Sequence, residues 1–387
     1  MTKGEVMATA ELPIPILRTS ERSTFKKCVW RWLQEYRYGY KPRGIQADAL
    51  WFGIGIHNAL AEWYRKGKRR GPHPADTWEA WCGDEIAWAK SYLTETFEEP
   101  VWLDARDLGT AMLEGYVDQW GKDPKWHIIA VEQPFEIAIR RDRQTAVIFK
   151  SRWDGVFRDL ETGLILLLES KTATQIATAY LEMDDQGGSY WAVAGRVLRA
   201  NGVLKRGEEI GGIQYNFLRK AMPDERPMNS QGLRTNNPTR EHYIRALRSV
   251  RIEFVEQSSP KSGPIPVDKA KLADLQVAAS FANLQVLGDI SKSQPPPLFV
   301  RPDPIMRNQG EIATQLQRIT DEVQWMNAVR DGTLPAIKTP TRDCPRCPFW
   351  GPCTLHEQGS DSYLTLLESN YTQEDPYVDA DVKSADD

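Results

Sequence analysis

The sequence predicts an α/β fold, a mixed central sheet flanked by helices, and two changes of pattern point to it. From about Ser20 to Trp120, aromatic and aliphatic residues recur at three- and four-residue steps, which is typical of helices. From Ile128 onward the pattern becomes short β-rich runs separated by turn residues. A chain of 387 residues, 41% hydrophobic and 26% charged, can bury such a core.

The limits of the apolar runs place the individual elements. Three consecutive strands are predicted over residues 128–139, 146–160 and 164–171, with hairpin turns at residues 141–143 and 161–163. A helix over residues 185–200 and a strand over residues 212–218 follow. Helical spacing returns at residues 268–287 and 311–329, and stretches typical of loops cover residues 223–238, 258–266 and 291–304.

This order divides the chain into five expected regions. They are a helical lead-in at 1–125, a sheet-containing core at 126–220, packing loops and helices at 221–340, a cysteine segment at 341–356 and an acidic, disordered tail at 357–387.

Charge is spread unevenly along a chain whose net charge is −4. Residues 18–43 carry eight basic side chains against two acidic ones, whereas nine acidic residues and one lysine follow His356. A positive start and an acidic end are compatible with an enzyme that handles DNA in a positive channel. The alternative is a solvated helix face and a disordered tail.

Other classes of protein are excluded by what the sequence lacks. No run approaches the roughly 20 apolar residues of a membrane-spanning helix, and the first 16 residues lack a basic stretch followed by an apolar one. We therefore expect a cytoplasmic protein without membrane attachment. The phosphate-binding loop pattern of helicases is also missing.

Two acidic residues and a lysine are predicted to converge. If Glu161 and Thr162 form a two-residue turn, Asp154 lies directly opposite Glu169, and alternation places Lys171 on the same face. Two neighbouring carboxylates at the end of an apolar strand need a cation, and oxygen ligands suit Mg²⁺ or Mn²⁺. Lys171 would orient or help deprotonate an attacking water. The alternative is an ordinary cross-strand salt bridge.

Three further side chains could join this site. His57 lies on a predicted apolar stripe of a helix, because residues of the stripe recur at steps of three and four. The stripe consists of Leu50, Gly53, His57, Leu60 and Tyr64. Gln186 and Tyr190 share one face of the helix that follows the lysine. Taken alone, such a histidine is more often a core residue, and the glutamine and tyrosine could be plain helix surface.

Four of the five cysteines form a candidate metal site. Cys344, Cys347 and Cys353 have the spacing C-x2-C-x5-C, which leaves one ligand to come from elsewhere. Cys28 lies in the basic lead-in, whereas Cys82 lies among tryptophans and is expected in the core. Thiolates alone do not distinguish zinc from an iron–sulfur cluster, and His356 could replace one cysteine in a zinc site.

The order of these motifs resembles the RecB-like branch of the PD-(D/E)XK nuclease superfamily, with its restriction-endonuclease-like fold. The resemblance implies that His57, Asp154 and Glu169 hold the metal and that Asp154, Glu169 and Lys171 are catalytic. It implies that Gln186 and Tyr190 help to bind DNA. Many relatives have aspartate at the second acidic position. Glu132, in the preceding strand, is a further candidate.

The cysteine arrangement resembles that of the Cas4-like iron–sulfur exonucleases, and also the AddB and Dna2 nuclease domains. This resemblance implies a [4Fe–4S] cluster held by the four cysteines Cys28, Cys344, Cys347 and Cys353. It implies exonuclease action on DNA ends or single strands in recombination, repair or CRISPR adaptation. Candidate phosphate contacts are the basic lead-in and the arginines Arg234, Arg240, Arg245, Arg248 and Arg251. Alternatives are a non-catalytic DNA-binding or assembly subunit and a zinc-binding interaction module.

Overall fold

The computed structural model describes residues 15–43, 47–93, 97–141, 144–257 and 263–377. The chain divides into two compact units. One comprises Met1–Ala221 together with Phe299–Asp387, and the other comprises Met222–Leu298. The expected region 221–340 is therefore split near residue 299, because its last part adds strands and a helix to the first unit.

The N-terminal part is mainly helical, as predicted. Its helices are α1 Thr19–Lys27, α2 Val29–Trp32, which continues into a π-helical turn at Leu33–Arg37, α3 Ala49–Trp63, α4 Pro74–Tyr92 and α5 Glu99–Trp120. Two short strands were not predicted, namely β1 Ile16–Leu17 and β2 Tyr40–Pro42. Strands of two or three residues take their pairing from distant partners, so local spacing carries little trace of them.

The central strands and helix follow the prediction closely. They are β3 Trp126–Arg141, β4 Gln144–Asp159, β5 Ile165–Ala173, α6 Asp185–Ala200 and β6 Ile210–Arg219. The turn expected at residues 141–143 lies partly outside the described residues, but β3 and β4 pair up to Arg141 and Gln144. Asp184 caps α6 by accepting a hydrogen bond from the backbone N–H of Gly187 at 3.0 Å.

Over the described residues the main sheet is mixed and has seven strands. β3 and β5 flank β4 in antiparallel pairing, β1 also joins β4 in parallel, and β5 pairs with β6 in parallel. Two short strands, β9 Phe299–Val300 and β10 Ile305–Met306, add to β6. Strand β9 falls within residues 291–304, which the sequence predicted as a loop. Helix α9, Gln309–Arg330, packs on α6. A mixed sheet flanked by helices is thus confirmed.

The second unit has its own small core. It contains α7 Arg240–Ser249, the hairpin strands β7 Phe254–Val255 and β8 Ile265–Pro266, and α8 Leu272–Phe281. Helix α8 is shorter than the predicted span of 268–287. The core of the unit is formed by Leu247, Val255, Val267, Ala270, Leu275 and Ala279.

The C-terminal segment is structured further than expected. After a short turn at Cys344–Arg346 come α10 Trp350–Glu357, α11 Ser362–Asn370 and β11 Tyr371–Gln373. The prediction of disorder from residue 357 is wrong over these elements, because Leu367 and Tyr371 are buried within the acidic stretch. The remaining tail, 378–387, lies outside the described residues.

Two basic residues of the lead-in hold this segment in place. β11 pairs antiparallel with β2, Arg43 donates to the carbonyl of Tyr371 at 3.1 Å, and Lys41 lies 3.1 Å from Glu374. Among the described residues, no helix combines the length and apolar character needed to cross a bilayer.

Candidate active site

The predicted pairing of two acidic residues is confirmed. β4 pairs with β5 at Gly155 and Leu168, so the next step of the ladder places Asp154 opposite Glu169. The connecting loop spans residues 160–164 rather than a two-residue turn, but this longer loop leaves the register unchanged.

Both oxygens of Asp154 have partners. Oδ2 accepts a hydrogen bond from the backbone N–H of Ser170 at 2.6 Å, and Oδ1 lies 3.2 Å from Nδ1 of His57. Burial favours the neutral acid, but the nearby imidazolium and the backbone donor outweigh it and keep the pKa of Asp154 below its usual value. Asp154 is therefore the ionised carboxylate of the group.

Strand β3 contributes a third carboxylate, Glu132, which the flanking pairs of the ladder place across from Asp154. Its backbone φ is +41°, a left-handed value that is rare for glutamate. Oε1 lies 3.9 Å from Nδ1 of His57, and Oε2 lies 3.0 Å from Nε of Arg152. Burial and the Asp154 charge raise the pKa of Glu132 to about 7, against the opposing effects of His57 and Arg152.

Glu169 and Lys171 form a close pair at the end of β5. Glu169 is 2% exposed, and its Oε1 accepts a hydrogen bond from Nζ of Lys171 at 2.6 Å. Burial raises the pKa of Glu169 to about 7, partly offset by the lysine. Burial works against the Lys171 ammonium, yet Glu169 outweighs it and raises the lysine pKa above its usual value. Lys171 is thus protonated at neutral pH.

The helix face predicted to approach the lysine does so. Nζ of Lys171 donates to Oε1 of Gln186 at 2.5 Å, and Nε2 of Gln186 donates to the hydroxyl of Tyr190 at 3.3 Å. Ser151 donates to the same hydroxyl at 2.8 Å. Burial raises the pKa of Tyr190 to about 12, so this phenol stays neutral.

His57 projects from α3 toward the carboxylates. Burial lowers its pKa, but Asp154, Glu132 and Glu169 outweigh this and raise it to about 9. The predicted apolar stripe is wrong at its start, because Leu50 is 71% exposed. A Cβ at Gly53 would lie 3.9 Å from Thr172, an ordinary contact, so this glycine is not required for space near the ring.

These side chains fit a divalent cation. His57, Glu132 and Asp154 offer ligand atoms that all lie within 4.8 Å of one another. The buried Oε2 of Glu169 has no hydrogen-bond partner among the residues that the structure describes, and such an oxygen is costly unless a cation binds it. Carboxylates with one imidazole suit Mg²⁺ or Mn²⁺. The sequence analysis included Glu132 only as a further candidate. The register of the β3–β4 hairpin, which places Glu132 across from Asp154, was the sequence feature that could have identified it.

A family model of the PD-(D/E)XK nuclease superfamily matches residues 19–354. The chain belongs to this superfamily. Members are generally nucleases that use divalent metals, which agrees with the cluster of carboxylates, and the sheet flanked by helices is the restriction-endonuclease-like fold. Among curated proteins, none matches the chain in sequence.

Beside the carboxylates, this member of the nuclease superfamily has a cleft of about 1210 Å³. Gln186 and Tyr190 line it. Its basic lining residues are Arg18, Arg22, Lys26, Lys27, Lys150 and Arg152. Its acidic lining residues are Glu136, Asp184 and Asp185. Basic groups outnumber acidic ones among the lining residues, which suits a polyanion, although Arg22 and Lys26 are ion-paired with Glu322, Lys150 with Glu136 and Arg152 with Glu132.

Arginines of the second unit have partners of their own. Nε of Arg240 donates to the carbonyl of Ala270 at 2.8 Å, and Nε of Arg248 lies 3.3 Å from Glu253. Each of these two expected phosphate contacts thus has a partner within its own unit.

Four cysteines of this superfamily member lie outside the core. Cys82 is buried, as expected for a packing residue. Three half-buried cysteines pack on the cluster of Trp30, Phe349, Leu367 and Tyr371; they are Cys28, Cys347 and Cys353. Within the described part of the chain, no three cysteines bring their sulfur atoms within 4.8 Å of one another.

Proposed function

We propose that the protein is a metal-dependent deoxyribonuclease of the RecB-like, Cas4-like type. In this proposal it hydrolyses phosphodiester bonds and acts as an exonuclease on DNA ends or single strands. The single observation that carries the proposal is the contact of protonated Lys171 with Glu169 and Gln186, beside Asp154 and His57. A cation on one side and a fixed ammonium on the other could hold a scissile phosphate between them.

The lysine has a definite role in this proposal. Because its pKa is raised, Lys171 is a donor rather than a base at neutral pH. It would orient the attacking water and offset the negative charge that develops on the phosphate. Glu169 Oε1 and Gln186 Oε1 hold Nζ in place, at 2.6 and 2.5 Å.

His57, Asp154 and Glu169 would hold the metal, with Glu132 as an additional ligand. A bound Mg²⁺ or Mn²⁺ would supply Lewis-acid stabilisation of the phosphate. The Nδ1 of His57 would have to lose its proton on metal binding, since a ligating imidazole is neutral.

DNA would follow the positive cleft. Gln186 and Tyr190 lie where the cleft meets the catalytic lysine, and their amide and hydroxyl could contact a phosphate or a base. We propose a role in recombination, repair or CRISPR adaptation.

We also propose a [4Fe–4S] cluster on Cys28, Cys344, Cys347 and Cys353. Burial raises the pKa of Cys347 and of Cys353, and the charges of the other cysteines of the set add to both effects. Three of the four thiols, those of Cys28, Cys347 and Cys353, pack on the same buried cluster of side chains. In a cluster each thiolate binds a different iron, so the sulfur atoms lie further apart than around one ion.

The decisive experiment incubates end-labelled linear DNA and closed circular DNA with Mn²⁺, Mg²⁺ or Ca²⁺. We expect cleavage of linear substrates with Mn²⁺ or Mg²⁺, and none with Ca²⁺. Asp154→Asn is the matched control, because it keeps the side-chain volume and removes the charge. Binding without any metal-dependent cleavage would favour the non-catalytic DNA-binding subunit instead.

A further inference from the structure

One ion pair joins the acidic group to the positive cleft. Nε of Arg152 lies 3.0 Å from Oε2 of Glu132. The arginine precedes Asp154 by two residues on β4, so it is the diagonal cross-strand neighbour of Glu132. The side chain of Arg152 is 49% exposed and lines the cleft, whereas that of Glu132 is 21% exposed.

Glu132 is shared between two environments. Oε1 faces His57 at 3.9 Å, within the group that could hold a cation, and Oε2 faces Arg152. Its left-handed backbone, φ +41°, is a strained conformation that persists only where the surroundings enforce it. The carboxylate is therefore held at a position where it can serve either the arginine or a metal.

A DNA phosphate in the cleft would compete for the same guanidinium. Arginine binds phosphate through paired N–H groups, and the charge-assisted bonds are strong. Once the arginine faces a phosphate, Glu132 loses part of its counter-charge while it remains across the strand pair from Asp154. Two adjacent carboxylates with less positive charge nearby attract a divalent cation more strongly.

We propose that Arg152 couples DNA binding to metal binding, so that the site binds its cation more tightly when a phosphate backbone occupies the cleft. The inference rests on the proposed function. By linkage, the cation must strengthen DNA binding by the same factor. Arg152 is a positioning residue in this scheme, since it acts through Glu132.

The test titrates Mn²⁺ into the protein by calorimetry, with and without a single-stranded oligonucleotide. All proteins carry Lys171→Ala so that cleavage is slow during the titration, and the oligonucleotide is checked for intact length afterwards. We expect DNA to raise the Mn²⁺ affinity about 5-fold or more, the lower end of typical coupling. Adding Arg152→Gln should tighten Mn²⁺ binding in the absence of DNA and reduce the DNA-dependent gain to less than about 2-fold.

Lys150→Gln is the matched control. Lys150 lines the same cleft but lies 2.8 Å from Glu136, which is outside the metal group. This variant should weaken DNA binding and keep the DNA-dependent gain in Mn²⁺ affinity. Glu132→Gln should lose both the gain and part of the basal affinity.

The coupling would be overturned if DNA raised the Mn²⁺ affinity equally in the Lys171→Ala protein and in the protein that also carries Arg152→Gln. It would also be overturned if the Lys171→Ala protein bound DNA without any increase in Mn²⁺ affinity. Either result leaves the proposed function intact if the protein with native Lys171 cleaves DNA. A protein that neither binds nor cleaves DNA would overturn both.

Discussion

Arg301 forms a two-point ion pair with Asp123, with N–O distances of 2.6 and 3.0 Å, and both side chains are less than 10% exposed. The guanidinium lies over the rings of Trp120 and Trp126, at 4.2 and 4.3 Å from their centroids. Its Nε also donates to Asn216 at 3.0 Å. The pair thus anchors the end of α5 to the sheet.

This buried pair should be important for stability. Asp123→Ala leaves Arg301 as a buried charge without its carboxylate, and breaking such a pair typically costs about 3–5 kcal/mol. Urea denaturation measures the loss. The control is Glu161→Ala, which removes an exposed partner of Lys125 and should leave the midpoint unchanged. Equal midpoints for the two variants would show that the Arg301 pair contributes nothing.

Loss of the Lys171 ammonium should separate DNA binding from cleavage. Lys171→Ala should reduce the cleavage rate by roughly 10²–10⁴-fold while DNA binding and iron content persist. Rates come from single-turnover assays and binding from fluorescence anisotropy. Lys125→Ala, a change at an exposed surface lysine, should cleave normally. Normal turnover in Lys171→Ala would remove this lysine from the mechanism.

The metal site should prefer Mn²⁺ over Mg²⁺, because an imidazole is a softer ligand than oxygen. His57→Ala should weaken Mn²⁺ binding, as measured by calorimetry in the absence of DNA. His127→Ala, on β3 and outside the metal group, is the control. Unchanged affinity in His57→Ala would return this histidine to a packing role.

The cysteine site should join the two ends of the first unit. Cys28→Ser or Cys353→Ser should lose iron and its brown chromophore, and both ends should become protease-sensitive before the sheet unfolds. The strand pair between β2 and β11 spans the same two ends, so cleavage should appear there early. Cys82→Ser should keep its iron. The proposed iron–sulfur link between the two ends is wrong if anaerobically purified protein holds zinc without iron, or if Cys82 proves necessary for the metal.

A buried glutamate predicts how stability depends on pH. Oε1 of Glu21 accepts hydrogen bonds from Trp32, Arg330 and Tyr377, whereas Oε2 has no partner among the described residues. Burial raises the pKa of Glu21, although Arg330 opposes this. The folded state therefore favours the neutral acid. The protonated Glu21 side chain contributes its full stabilisation below its pKa in the unfolded state, about 4.3. This stabilisation is lost as the pH rises through the pKa of Glu21 in the folded state.

Glu21→Gln keeps the accepting oxygen and removes the titration. Its free energy of unfolding should fall less than that of the wild type between about pH 4 and pH 7. Chemical denaturation at a series of pH values gives the comparison. Parallel curves for the two proteins would mean that Glu21 does not titrate in this range.

Local sequence patterns were sufficient to predict much of the fold and of the candidate site. The bounds of α6 match the prediction at both ends, because the capping residue Asp184 and the apolar face from Tyr190 to Leu198 are local signals. The pairing of Asp154 with Glu169 follows from alternation along two strands joined by a short loop. Lys171 and Gln186 are only 15 residues apart, on β5 and on the next α-helix along the chain.

Other features depend on contacts between residues far apart in the chain, and local spacing does not encode these. Glu132 reaches the site through a left-handed backbone that only its packed surroundings impose. Strands β2 and β11 order each other across more than 300 residues, so an acidic composition wrongly predicted a disordered tail. Arg43 and Arg240 gain hydrogen-bond partners only when the chain folds back on itself, so these expected phosphate contacts also hold structural contacts that local spacing does not predict.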